Sequence, residues 1–347
     1  MSTSSSSKPI RPTRWKNALK NLALFATVFL LCGAVAEGVL RLRGYGNLEI
    51  YEPDPLLYWR LKANQECYTK VNRHPVRINA HRTRGGEFST VKPAGTLRII
   101  SIGDSRTFGW GLREEETYSA RLQKHLQERF GATKKIEVIN AGVNAWSFPQ
   151  MTAFLRAYAL AWQPDLVILG DGNLWTQFSE NQDPAFLRQF ARRVRLKNFL
   201  RGFALYHFVV EVKLHEFYAK YRSNFIPVDP SQDQMFKEQQ QKDPAAFFRQ
   251  SIETFCRTAR SNGVPTVLLY LPPQEALTST NNQFAMVRRA KQEVSRKWSL
   301  PLLDPTPELT PRANELYLEG DAVHFNAAGN EIIGRRLSEV VSPLLKP

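Results

Sequence analysis

Leu97-Arg-Ile-Ile-Ser-Ile-Gly-Asp-Ser-Arg-Thr-Phe-Gly-Trp-Gly-Leu112 is the stretch that decides the fold. Its apolar, β-rich run over 99–102 stops abruptly at Gly103-Asp104-Ser105, and helix-forming residues follow from Glu114. Ser105 therefore sits where a buried strand turns toward a helix, the place where open α/β sheets carry their chemistry. A serine at such a turn also reads as a simple helix cap. What separates the two readings is a base elsewhere in the chain.

The flanking sequence alternates. Candidate strands lie at 97–102, 136–140, 166–169, 266–271 and 302–303, with candidate helices at 115–130, 150–162, 245–262, 284–298 and 327–341. Strands separated by helices of this length need right-handed crossovers, so the expected fold class is α/β, a three-layer doubly wound parallel sheet. The first three strands end in Asp104-Ser105, in Asn140 with Gly142, and in 170–173. Converging strand ends build one site.

The base appears near the other end, in Gly320-Asp321-Ala-Val-His324-Phe-Asn-Ala-Ala-Gly329. Asp321 and His324 can project from one loop just before a helix start. An aspartate holding one imidazole nitrogen leaves the other to accept a proton from a serine hydroxyl, which is a weak nucleophile unaided.

With these residues the chain resembles the SGNH/GDSL hydrolase superfamily. Gly103-Asp104-Ser105 matches its first block, Gly142 in Asn140-Ala-Gly-Val its second, and Asp321-Ala-Val-His324 its fifth. The likeness runs over about 97–343 and more weakly over 78–85. It implies an SGNH-hydrolase-like, flavodoxin-like sheet, with Ser105 as nucleophile, His324 as base and Asp321 orienting the imidazole. The implied oxyanion hole is the backbone N–H of Ser105 and of Gly142 with a side-chain amide from the third block. There the chain departs from the family pattern Gly-x-Asn-Asp, reading Gly170-Asp171-Gly172-Asn173-Leu174. Asn173 is the expected amide, and Asn144 is the alternative. Asp104 is read as holding the strand-to-helix turn. Arg106 either binds an anionic substrate group or pairs with a nearby acid.

The other histidines, His74, His81, His125, His207 and His215, have no matched acid partners in sequence and are read as surface or packing residues. No His, Asp or Glu cluster has metal-ligand spacing, so neither metal nor cofactor is expected. The three cysteines, Cys32, Cys67 and Cys256, form no CxxC. A Cys67–Cys256 disulfide is open if the domain lies outside the cytosol.

With 347 residues and a net charge of +15, the chain is strongly basic. Nucleic acid as partner is disfavoured: there is no phosphate-binding Gly-rich loop, zinc-finger spacing or ribonucleoprotein motif, and the charge is spread over several segments. An anionic membrane or an acidic glycan fits the charge as well.

Residues 1–20 are Ser-rich, then basic, and are expected to form a disordered cytoplasmic tail. Residues 21–41 are almost wholly apolar and are expected to be a transmembrane signal anchor. The basic flank stays cytoplasmic, which sends the remainder across the membrane. Ala34-Val-Ala36 also has the form of a signal-peptidase site, so release after Ala36 is the second outcome. Residues 42–96, punctuated by Pro53, Pro55 and Pro75, read as an irregular connector packing on the catalytic domain, which spans 97–345. Within it, 183–230 is an insertion interleaving Arg188, Arg192, Arg193, Arg195, Lys197 and Arg201 with large aromatics. It reads as a surface helix with a solvated basic face, as a lid, or as an amphipathic helix on anionic lipid.

The function implied is ester hydrolysis, with an O-acylated glycan of the cell envelope as the expected substrate. Two alternatives stay open: an O-acetyltransferase using the same triad, and a non-catalytic glycan-binding or scaffold protein.

Overall fold

The structure, a computed structural model, describes residues 13–48, 51–69, 72–172, 184–214, 243–278 and 283–345. Its centre is a five-stranded parallel sheet of β5 (Thr96–Gly103), β6 (Lys135–Gly142), β7 (Leu166–Leu169), β8 (Thr266–Leu269) and β9 (Leu302–Leu303), in the order β6-β5-β7-β8-β9. All eight residues of β5 are buried, as expected of a central strand covered on both faces. Register pairs Ser101 with Asn140 and with Ile168, and it brings Gly103 level with Gly142.

Alternate side chains feed two cores. On one face Ile100, Ile102, Val167 and Leu169 pack with α4 (Phe148–Ala157), α7 (Pro244–Ser261) and α8 (Gln283–Trp298). On the other, Leu97, Ile99, Leu166 and Ile168 meet α3 (Tyr118–Phe130) and α9 (Ala327–Val341). The fold is thus the three-layer α/β arrangement that the alternation predicts.

Several boundaries differ from expectation. The helix expected at 115–130 starts at Tyr118, because Thr117 caps it by accepting from Ala120 N, and Glu114–Glu116 form a separate tight turn. The helix expected at 150–162 is α4 plus a tight turn at Ala159–Trp162, separated by Tyr158 outside helical geometry. The 42–96 segment is not irregular: β1 (Tyr51–Asp54) pairs with β2 (Tyr58–Leu61), and β3 (Gln65–Tyr68) with β4 (Pro75–Ile78). Leu57, Leu61, Val76 and Ile78 of these hairpins enter the first core. Cys67 and Cys256 are buried and not joined in a disulfide, with the Cys67 thiol donating to Val76 O at 3.5 Å and burial pushing the Cys256 thiol up to about 12.

Residues 13–20, expected within a disordered tail, belong to helix α1 (Thr13–Leu42), where good helix formers extend the apolar segment toward the N-terminus. Within it, 15–42 is long and apolar enough to cross a membrane, with mean hydropathy 2.1 in its most apolar window. In the insertion the structure describes α5 (Pro184–Arg201), α6 (Ala204–Tyr206) and wider helical turns over His207–Leu214. The remainder, 215–230, lies outside the described residues.

Candidate active site

Ser105 opens a single helical turn, α2 (Ser105–Phe108), immediately after β5. Asp104 caps that turn by accepting from Arg106 N at 2.9 Å, and Gly109, at φ 84, closes it in the left-handed region. The turn is wedged against the strand ends. A Cβ at Gly103 would lie 1.9 Å from Thr107 Oγ1, and one at Gly142 would lie 2.1 Å from Phe108 N. Only glycine permits this approach.

From the far end of the chain, the 318–325 loop folds back on itself. His324 O accepts from Leu318 N at 2.9 Å and Leu318 O from Asp321 N at 3.0 Å. Asp321 Oδ1 accepts from the backbone N–H of Val323 and His324, and Oδ2 lies 2.6 Å from His324 Nδ1. His324 Nε2 stands 2.8 Å from Ser105 Oγ. The structure therefore brings Ser105, His324 and Asp321 into one chain of contacts. All three are half-buried, so the site stays open to solvent. Burial raises the Asp321 pKa, but the imidazole and the two backbone N–H groups outweigh it and hold the carboxyl below its usual value. The Trp110 indole lies beside the imidazole, with ring centroids 5.8 Å apart.

Gly142 lies level with Gly103, beside the Ser105 turn. It sits in β6, and its N–H donates to Asn140 Oδ1 at 3.0 Å. The glycine is needed for the Phe108 approach. Asn173 lies outside the described residues. Asn144, the alternative amide, donates through Nδ2 to the Tyr51 hydroxyl at 2.5 Å.

Arg106 pairs with acids. Its guanidinium meets Asp104 Oδ2 at 2.7 Å and Asp171 Oδ2 at 3.4 Å, and donates to Leu271 O at 2.6 Å. Burial works against its charge, yet Asp104 and Asp171 hold its pKa above the ordinary value. Asp171 also accepts from Leu271 N at 2.7 Å and is ion-paired with Lys291. Lys291 Nζ donates to Gly170 O at 3.1 Å and to Leu269 O as well. Burial pulls the Lys291 pKa down against the opposing pull of Asp171. Two acids and two cations thus form a neutral, buried cluster behind Ser105, joining the ends of β5, β7 and β8.

The sequence reading missed Lys291 and Arg84. Lys291 falls four residues after Val287 and three before Val294, on the core-facing stripe of α8, and that spacing was the available signal. Arg84 is buried and donates to Phe108 O at 2.8 Å, Gly109 O at 2.7 Å and Leu112 O at 2.6 Å, satisfying carbonyls at the end of the Ser105 turn. His125, read as lacking an acid partner, meets Glu331 at 2.7 Å. His207 is buried, and its Nδ1 accepts from Gly46 N. His215 lies outside the described residues. Among the described residues, no group of three or more potential metal ligands occurs.

No family model matches the chain, and no curated protein matches it. Solved structures similar to it include a protein assigned to the G-D-S-L lipolytic family from Desulfitobacterium hafniense DCB-2, 20% identical with TM-score 0.43, covering 71% of this chain and 99% of that one. A lipase/acylhydrolase from Enterococcus faecalis is 18% identical with TM-score 0.43, over 73% and 98% of the two chains. A catalytic mutant of an acetylxylan esterase from Geobacillus stearothermophilus is 16% identical with TM-score 0.42, over 71% and 95%.

Proposed function

We propose that this chain is a serine esterase of the SGNH type. Ser105 donates its proton to His324 Nε2 as Oγ attacks the ester carbonyl, while Asp321 accepts from Nδ1–H and stabilises the imidazolium. The tetrahedral intermediate collapses to an acyl-serine, with His324 returning the proton to the departing alcohol. Water, deprotonated by His324, then releases the acid and restores Ser105. For the oxyanion, the reading assigns the Ser105 N–H, which has no acceptor within its own helical turn, together with the Asn173 amide. The Gly142 N–H, which meets Asn140 Oδ1 in the absence of substrate, is the third donor of that set.

The observation that carries this reading is the pair of contacts at His324, 2.6 Å to Asp321 in its own loop and 2.8 Å to Ser105, which lies more than two hundred residues away in the chain. The substrate class assigned is an O-acetylated glycan outside the cytoplasm. Supporting it are the apolar α1 with a basic leading flank, retained as an anchor, and the flat face of Trp110 beside the imidazole. The test is acetate release from an acetylated oligosaccharide by the full chain in detergent, beside Ser105→Ala. Release by the wild type alone supports the esterase. Acetyl appearing on an added acceptor sugar instead makes it a transferase, and no turnover in either protein overturns the reading.

A further inference from the structure

Glu37 interrupts the apolar run of α1, and the structure gives it partners. Its two carboxylate oxygens accept from Ala204 N and Leu205 N, each at 2.9 Å. Arg41, one turn later, pairs with Glu37 at 2.8 Å and donates to Gly202 O at 2.9 Å. Just beyond the helix, Gly46 N donates to His207 Nδ1 at 2.9 Å, and Tyr45 packs edge-on against His207 and Phe208. The far end of α1 is therefore bonded to the turn between α5 and α6.

This contact fixes a level. The uncharged run from 21 to 36 rises about 24 Å at 1.5 Å per residue, and Val39 and Leu40 extend it toward the thickness of a hydrocarbon core. Glu37 and Arg41 then fall at its outer boundary, where a paired and hydrogen-bonded carboxylate avoids most of the cost of leaving water. Residues 202–205, bound to them, lie at the same boundary. Around that turn large apolar side chains face outward: Leu196, Phe199 and Phe203 are 61%, 66% and 41% exposed, and Val209 is 48% exposed. On the same helix Arg188, Arg192, Arg193 and Arg195 are exposed cations. Apolar groups at the boundary with cations alongside match an anionic bilayer surface.

We propose that residues 196–210 seat on the outer membrane surface, forming a second contact beside α1 that holds the catalytic domain in one orientation over the bilayer. This rests on α1 being retained as an anchor. The test uses the full chain with Cys32→Ser, carrying Phe199→Cys or Phe203→Cys, each labelled with an environment-sensitive dye, in nanodiscs of phosphatidylcholine and phosphatidylglycerol. Shallow doxyl-lipid quencher should quench and the emission should be blue-shifted at both positions, while a dye at Lys124→Cys, on the outer face of α3, stays solvent-like. A dye at Val28→Cys, quenched by deep doxyl-lipid, reports the anchor separately. Solvent-like emission at 199 and 203 with quenching at 28 overturns the seat and leaves the anchor standing, whereas no quenching at 28 overturns both. A blue shift at 199 and 203 that lipid quencher does not touch, and that grows with protein concentration, assigns the patch to a protein partner and overturns the seat.

Discussion

Ser105, His324 and Asp321 are half-buried and touch through single hydrogen bonds, whereas Asp104, Arg106, Asp171 and Lys291, just behind them, are all under 7% exposed and ion-paired. On the proposed reading, the difference separates reacting groups from holding groups. A reacting group has to meet substrate and exchange protons, so it keeps one face open. A holding group has to resist movement, and a desolvated charge that loses its partner is strongly destabilised, so the cluster has little freedom to rearrange.

On that division, substitutions in the two sets fail in different ways. The largest effect is on chemistry: Ser105→Ala and His324→Ala should each lower kcat/KM for an aryl acetate by roughly 10⁴-fold or more, and the double variant should lose little beyond either alone. Additive losses measured in the same assay would mean the two do not act as a unit. Ser105→Ala should keep the thermal stability of the wild type.

Next, Lys291→Met leaves Asp171 without one of its two cations. It should cost about 3–5 kcal/mol in chemical denaturation, the range for breaking a buried pair. A cost below about 1 kcal/mol would break the comparison, because the cluster would then not be holding anything. Arg84→Lys separates positioning from chemistry. Losing bonds to the carbonyls of Phe108, Gly109 and Leu112 should lower kcat with KM little changed, by about 1.5–3 kcal/mol of barrier for charged hydrogen bonds.

The smallest effect is a pH dependence. The Asp321 carboxyl titrates below its unfolded value of about 4, so its stabilising contribution is complete above that value and is lost as pH falls through the folded pKa. The melting temperature gap between wild type and Asp321→Asn should shrink as pH falls below about 4. A gap that keeps widening below that pH contradicts this assignment.

Much of this architecture is legible in the residues themselves. The 166–169 and 302–303 strands match to the residue, because an apolar run bounded by polar turn residues leaves little choice. Asp321 and His324 were legible for a similar reason: both lie in one short loop beside a clear helix start. The hairpins were not. Pro53 and Pro75 read as breakers, but they lie in two-stranded sheets, where a missing N–H can face away from the partner. The packing partner of Gly142 was not legible, because a glycine at a strand end signals close approach without saying to what. Here it is the Phe108 backbone that approaches, and the N–H turns to Asn140. Arg84 and Lys291 were hidden because charged residues read as surface, and only tertiary packing buries them.

The most direct test is covalent. Treating the full chain in detergent with an aryl phosphonofluoridate and mapping the adduct by peptide mass spectrometry should find Ser105 modified in the wild type, with modification lost or greatly slowed in His324→Ala. An adduct on a different residue, or equal labelling of Ser105 in the two proteins, would contradict an alcohol activated by that imidazole.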